Sequence, residues 1–276
     1  MNRQTKKLIL SLSFALGGFS LAISQEVGLQ LYSLRNQFKK DVPGTLKLIR
    51  SWGITKIEGG DLYGYSMPAF KSLLKENELE MTCVGASFDD LKNDPQKVVK
   101  LAKDFGVSYV MCAWVPHEGD FTLDDAKNAV SVFNKAGKIL KEEGIAFAYH
   151  PHGYEFGAYN NGTLFDYMVE NASSFDFEMD VFWVKQGGAD PLALLKKYPE
   201  KFILMHLKDR AKGTPNSTNG HAPDETNVVL GTGDVGIGSL VEEAKKLGIK
   251  YMYIEDESPD VVDQVPRSLL FLKGVK

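Results

Sequence analysis

Cysteine is nearly absent: Cys83 and Cys112 are the only two in 276 residues. Two thiols exclude a disulfide scaffold, and although one bridge between them could be drawn, a chain of this size does not need it. Positive charge is not in excess either. Lys and Arg number 32 against 36 Asp and Glu, a formal net charge of -4 with pI near 5.8. That balance gives no general attraction to phosphate backbones and argues against nucleic acid as a partner. Nothing in the composition suggests disorder. With 43% hydrophobic and 25% charged residues, the chain has the profile of a soluble globular protein, long enough for one α/β barrel or two smaller domains.

The long apolar run from Leu8 to Ile23 follows Arg3, Lys6 and Lys7, and small residues Ala22 and Ser24 precede Gln25. This is the pattern of a secretory signal peptide over residues 1–24. The rival, a membrane anchor, is disfavoured because the run falls short of the roughly 20 apolar residues a spanning helix needs. The expectation is a mature domain over residues 25–276, exported to the periplasm or secreted, with no stable membrane insertion after cleavage.

The mature chain alternates between two periodicities. Strands are expected at Glu26 to Leu34, Ile54 to Glu58, Glu80 to Ala86, Val107 to Trp114, Ile145 to His152, Phe177 to Trp183, Phe202 to Lys208 and Lys250 to Asp256. Helical stretches separate them. The clearest has Ala126, Ala129, Val130, Phe133, Ala136 and Leu140 at helical spacing, Asp124 and Asp125 in its first turn and Gly144 beyond its end. A Gly, Pro and Asn-rich loop from Ala211 to Gly238 interrupts before the last strand. Eight strand and helix pairs predict a single (β/α)₈ TIM barrel rather than an open doubly wound sheet, since no Gly-rich phosphate turn follows the first strand. The later cluster Gly231, Gly233, Gly236 and Gly238 has no strand before it and reads as loop geometry.

Chemistry in such a barrel gathers at the C-terminal ends of the strands. Glu58 ends the second, His150 and His152 the fifth, His206 and Lys208 the seventh and Glu255 the eighth, while Asp180 lies late in the sixth. Residues two apart share a face of a strand, so His150 with His152, and His206 with Lys208, can point inward together. Imidazoles and carboxylates converging at one mouth suit a divalent metal such as Mn²⁺, Zn²⁺ or Co²⁺. The rival reading is a structural network in which Asp180 and Glu255 pair with Lys208 and the histidines. His117 and His221, both in loops, read as ordinary surface or hydrogen-bonded residues. Gln30, Arg35, Trp114 and Trp183 stand in or near strand ends as candidates to touch a substrate. No Arg and Lys cluster is available there to hold a phosphate dianion, and the aromatic side chains suit an uncharged sugar ring.

Through GLQLYSLR, IEGG, AYHPHGYEF, EMDVFWV, MHLKD and IEDES, in that order and on those strands, the chain resembles the sugar phosphate isomerase/epimerase family of xylose-isomerase-like barrels. The resemblance implies a metal held by residues of the last four strands, which here are His150, Asp180, His206 and Glu255. His150 replaces the usual carboxylate of strand five, and with His152 beside it the resemblance leaves open which histidine is the ligand. It also implies proton abstraction next to a keto-sugar carbonyl through an enediolate; Glu58, by its strand-end place, is the expected base, and Lys208 is expected to stabilise the oxyanion or protonate a leaving group. Two other functions stay open: a lyase or hydratase acting on 3-keto-glycosides by β-elimination, and a sugar-binding protein without turnover. The family also includes endonucleases acting at abasic sites, a role that the acidic balance and export signal argue against.

Overall fold

The computed structural model describes residues 26–275; the expected signal segment, residues 1–24, lies outside them. Eight parallel strands close into a barrel in the order β1-β8-β7-β6-β5-β4-β3-β2. They are β1 Glu26–Gln30, β2 Lys56–Gly59, β3 Glu80–Gly85, β4 Tyr109–Cys112, β5 Ala146–Tyr149, β6 Asp176–Asp180, β7 Phe202–Leu207 and β8 Tyr251–Ile254. The barrel helices are α1 Val42–Ser51, α2 Met67–Glu76, α3 Pro95–Phe105, α4 Leu123–Glu142, α5 Leu164–Asn171, α6 Pro191–Lys197, α7 Ile237–Leu247 and α8 Val261–Lys273.

The sequence marks most helix starts with a cap. Asp41, Ser66, Asp94 and Asp190 each accept a first-turn backbone N–H ahead of a proline, where its missing donor costs nothing. Thr122 and Thr163 form capping boxes with Asp125 and Asp166. Apolar residues then divide by strand face. Leu29, Ile57, Val84, Val110 and Phe147 point out against the helices, whereas Cys83, Met111, Ala148, Leu204, Tyr251 and Tyr253 fill the barrel interior. Tyr253 and Thr82 share a hydrogen bond of 2.8 Å inside that plug, which leaves the polar side chains to the C-terminal end.

The strand count and order match the alternation in the sequence, but the strands are shorter than expected: the fourth stops at Cys112, not Trp114, and the fifth at Tyr149, so that His150 and His152 follow it. The first strand stops at Gln30, not Leu34, and turns into a 3-10 helix at Leu31–Leu34. The sixth stops at Asp180, not Trp183, because the Asp180 Oδ1 accepts the N–H of Trp183 at 2.8 Å and caps a helix at Val181–Gln186. An additional short helix, Phe88–Asn93, precedes α3. Cys83 and Cys112 are both buried and free, so the bridge that the sequence allowed does not form.

The late glycine cluster is a loop device, as its position implied. The Asp209 Oδ2 accepts N–H groups of Gly231 and Gly233 at 2.9 Å each, and Oδ1 accepts those of Arg210 at 2.9 Å and Val235 at 3.2 Å. A Cβ on Gly233 would lie 2.3 Å from both the Arg210 carbonyl oxygen and the Asp209 carboxylate, so only glycine allows this approach.

Candidate metal centre

Strand register brings the ligands together. Asp180 on β6 pairs with His206 on β7, and His206 with Tyr253 on β8, which places Glu255 two residues beyond at the mouth. Tyr149 on β5 pairs with Phe177, so His150 and Glu178 come next along their strands. His150 Nε2 lies 3.5 Å from Asp180 Oδ2, which is 3.8 Å from His206 Nδ1; that nitrogen is 3.3 Å from Glu255 Oε2. One ligand atom from each of His150, Asp180, His206 and Glu255 lies within 4.8 Å of the other three, on side chains that are buried.

The arrangement fits a divalent cation on its own chemistry. His150 Nε2 and Asp180 Oδ2 are buried without a hydrogen-bond partner, a costly condition unless something else satisfies them. Asp180 has given its other oxygen to the helix cap, so Oδ2 is the one left for a cation. Behind the ligands stand carboxylates that orient them: Glu178 Oε2 is 3.2 Å from His150 Nδ1, and Glu58 Oε1 is 2.6 Å from His206 Nε2. N–H groups at those two nitrogens turn His150 Nε2 and His206 Nδ1 toward the cluster, the nitrogens that a metal would take, and this is the usual support for metal-bound imidazole. Glu58, Glu178 and His206 form a second close group, but it uses the His206 nitrogen that Glu58 already holds.

Electrostatics divide the carboxylates. Burial pushes Glu178 up to about 8, with the Glu58 carboxylate adding to the effect. Burial likewise pushes Asp180 up to about 7. Glu255 is also buried, yet Lys208 and His206 outweigh that and hold its carboxyl well below the ordinary range. Burial disfavours charge on His206, but Glu178, Glu58 and Glu255 more than compensate and raise it well above the usual histidine value. His150 is pushed well down, first by burial and then by His206 and His152. Lys208 is raised despite burial because Glu255 and Glu257 flank its ammonium.

Not every expected site residue lies where strand counting put it. Glu58, expected as a base at the mouth, is fully buried behind His206, accepts a 2.6 Å hydrogen bond from Gln30 Nε2 and does not line the cavity above. Strand β2 ends one residue later, so Glu58 points into the barrel below the open end. His152 is outside the four-atom cluster; its ring stands 4.8 Å from that of His150 and 5.1 Å from that of Trp183. It lines the cavity, Nδ1 has no hydrogen-bond partner, and burial pushes its pKa down to about 4. Gln30, Arg35, Trp114, Trp183 and Lys208 line the same cavity, whose volume is about 910 Å³. Arg35 is committed to acids, 2.7 Å from Asp224 and 3.6 Å from Glu257.

Two buried acids escaped the sequence reading. Glu178 lies two residues before Asp180 and therefore on the same strand face, a spacing that the FEMD stretch carries openly. Glu155 gives no such signal. It follows the strand in a 3-10 turn, takes the Tyr149 hydroxyl hydrogen bond and accepts the His152 N–H at 3.1 and 3.2 Å, fixing the segment that presents both histidines.

The fold recurs in solved structures. A sugar phosphate isomerase/epimerase from Parabacteroides distasonis ATCC 8503 superposes with a TM-score of 0.75 at 24% identity, over 93% of this chain and 99% of that one. Another protein so described from the same organism gives 0.70 at 26% identity, over 92% and 100%. The IOLI protein, solved with a bound zinc atom, gives 0.71 at 15% identity, over 91% and 98%. No curated protein matches the chain. The family model for xylose isomerase-like TIM barrels matches residues 46–275, almost the whole described barrel, and the chain belongs to that family.

Proposed function

We propose that the protein is a metal-dependent enzyme of the sugar isomerase/epimerase type, exported, and acting on an uncharged keto-sugar. The observation that carries this reading is the buried quartet, of which His150 and Glu255 line a large cavity, with two of its ligand atoms otherwise unpaired. His150, Asp180, His206 and Glu255 would hold the ion, and their mixed nitrogen and oxygen donors suit Mn²⁺, Zn²⁺ or Co²⁺. A divalent ion there supplies Lewis acidity, polarising a ketone and its neighbouring hydroxyl and acidifying the proton between them.

The remaining roles fall to side chains that reach the cavity. His152 lines the cavity beside His150 and its Nδ1 has no hydrogen-bond partner, which places it to accept the carbon-bound proton. Lys208 stays charged between Glu255 and Glu257, so it stabilises negative charge on a substrate oxygen and is ill suited to be a base. Glu58 acts through His206 as a positioning residue. Return of the proton to the other face gives epimerisation, and to the neighbouring carbon, isomerisation.

A second reading, a lyase or hydratase acting on 3-keto-glycosides, is favoured by the cavity volume, which exceeds what one sugar ring fills. Turnover of a panel of ketoses and 3-keto-glycosides, with and without chelator, separates the cases. Metal-dependent turnover of a ketose supports the first reading and of a keto-glycoside the second. Sugar binding without turnover of any member would make the protein a binding protein and overturn both.

A further inference from the structure

The chain has three tryptophans, and their indole N–H groups stand in different surroundings. Trp114 is 37% exposed, so water reaches it, and Trp52 does not line the cavity. Trp183 lines the cavity, is only 6% exposed, and its Nε1–H has no hydrogen-bond partner. Among the described residues the other buried side-chain atoms without a partner are oxygens or histidine nitrogens, all of which can accept. An indole nitrogen can only donate. A buried donor left unpaired costs free energy unless a bound molecule brings it an acceptor.

The donor is held in place from several sides. Asp180 Oδ1 accepts the Trp183 backbone N–H at 2.8 Å, and the Trp183 carbonyl accepts from Gly187 at 2.9 Å. Phe182 meets the indole edge to face at 5.1 Å, and the His152 ring lies 5.1 Å away. The segment that carries His152 is pressed onto the same turn: a Cβ on Gly153, where φ is +93°, would stand 3.0 Å from the Trp183 carbonyl oxygen. A donor fixed in this way loses little freedom when it binds. Two neighbours indicate what it binds. Lys208 Nζ, 5.1 Å from the indole centroid, favours an electron-rich oxygen at this wall. His152, the group placed to take the carbon-bound proton, sets that oxygen close to the carbon that loses it.

Resting on the sugar-site reading above, we infer that Trp183 is a specificity-determining residue whose Nε1–H donates a hydrogen bond to a hydroxyl oxygen flanking the keto-sugar carbonyl. The site then selects sugars that carry that hydroxyl over their deoxy counterparts. A deoxy sugar sets a C–H against the indole and leaves the buried donor unpaired, which is how a site built for a hydroxyl rejects the analogue without one.

Proton–nitrogen NMR of the full chain with isotope-labelled indole nitrogens, joined to binding calorimetry, tests this. The probes are D-fructose, 1-deoxy-D-fructose and 3-deoxy-D-fructose, added in chelator and again with Zn²⁺. Fructose should move the Trp183 Nε1–H signal downfield and slow its exchange with water. It should also bind about tenfold or more tighter than one of the two deoxy sugars, and Trp183→Phe, which keeps an aromatic ring, should abolish that preference. The Trp183 signal is assigned by elimination from Trp52→Phe and Trp114→Phe, so the NMR result stands even where Trp183→Phe fails to fold. Fructose binding with the Trp183 signal unmoved, equal affinity for the three sugars, or a preference kept in Trp183→Phe overturns the donor role alone. Failure of all three sugars to bind under either condition overturns it together with the sugar-site reading.

Discussion

Asp180 divides its labour between backbone and cluster: Oδ1 caps a helix at 2.8 Å while Oδ2 faces His150 and His206. The same economy governs His206, whose Nε2 belongs to Glu58 and whose Nδ1 faces Glu255. Glu58→Gln should therefore weaken metal affinity about 10–100-fold, the usual effect of removing a carboxylate behind a ligand histidine. Loss of a base would instead lower kcat and leave metal affinity unchanged, so a metal titration of this variant decides between the two roles. Because three carboxylates hold His206 charged, ligation through Nδ1 must expel a proton. Metal affinity should rise with pH through about 7, where the buried Asp180 carboxyl ionises, and on into the raised His206 range, with proton release detectable by calorimetry in buffers of different ionisation enthalpy. Glu155 offers a test of stability. Burial pushes it from 4.5 up to about 7, so the folded chain binds its proton more tightly than the unfolded chain. Its stabilising contribution is complete below about 4.5 and lost as pH rises through 7. Melting temperatures recorded from pH 4 to 8 should fall less steeply with pH in Glu155→Gln.

Elements announced themselves in the sequence where a local rule was strong. The helix α4 was readable from its spacing and its acidic first turn, and its capping box agrees. The sixth strand was read too long because Val181, Phe182 and Trp183 look like strand residues, whereas a cap on Asp180, invisible in apolar patterning, turns them into a helix. His117 and His221 agree with the sequence reading, His117 Nδ1 lying 2.8 Å from the Val115 carbonyl oxygen and His221 exposed, but their packing on Trp114 has no sequence mark, because a loop's path is set by distant contacts such as Gly220 on Tyr154. The loop before α7 depends on one side chain. Asp209→Ala removes the acceptor for four backbone N–H groups, each worth about 0.5–1.5 kcal/mol net. Hydrogen exchange should quicken over residues 229–236 in this variant while the protection of β7 and β8 is kept; unchanged exchange would show that the loop is held elsewhere.

The barrel as a whole was legible because eight apolar strands alternating with capped helices leave few other ways to bury both sets of faces. Strand ends then pointed to His150, Asp180, His206 and Glu255, which do converge. Depth within the barrel was not legible: Glu58 and Glu178 stand behind the histidines because of register shifts in β2 against β3 and β6 against β7, and such shifts leave no mark in a sequence. The proposed chemistry turns on whether the quartet binds one ion. Asp180→Asn is the incisive variant, since its amide oxygen can still accept the Trp183 N–H while the cluster loses a carboxylate. Thermal unfolding of the chelated protein with added Zn²⁺ or Mn²⁺, joined to elemental analysis, should give one ion per native chain and stabilisation of about 2.7 kcal/mol at a hundredfold excess over Kd, both lost in Asp180→Asn. No retained metal and no shift in the native protein, or an unchanged shift in the variant, would contradict the metal centre.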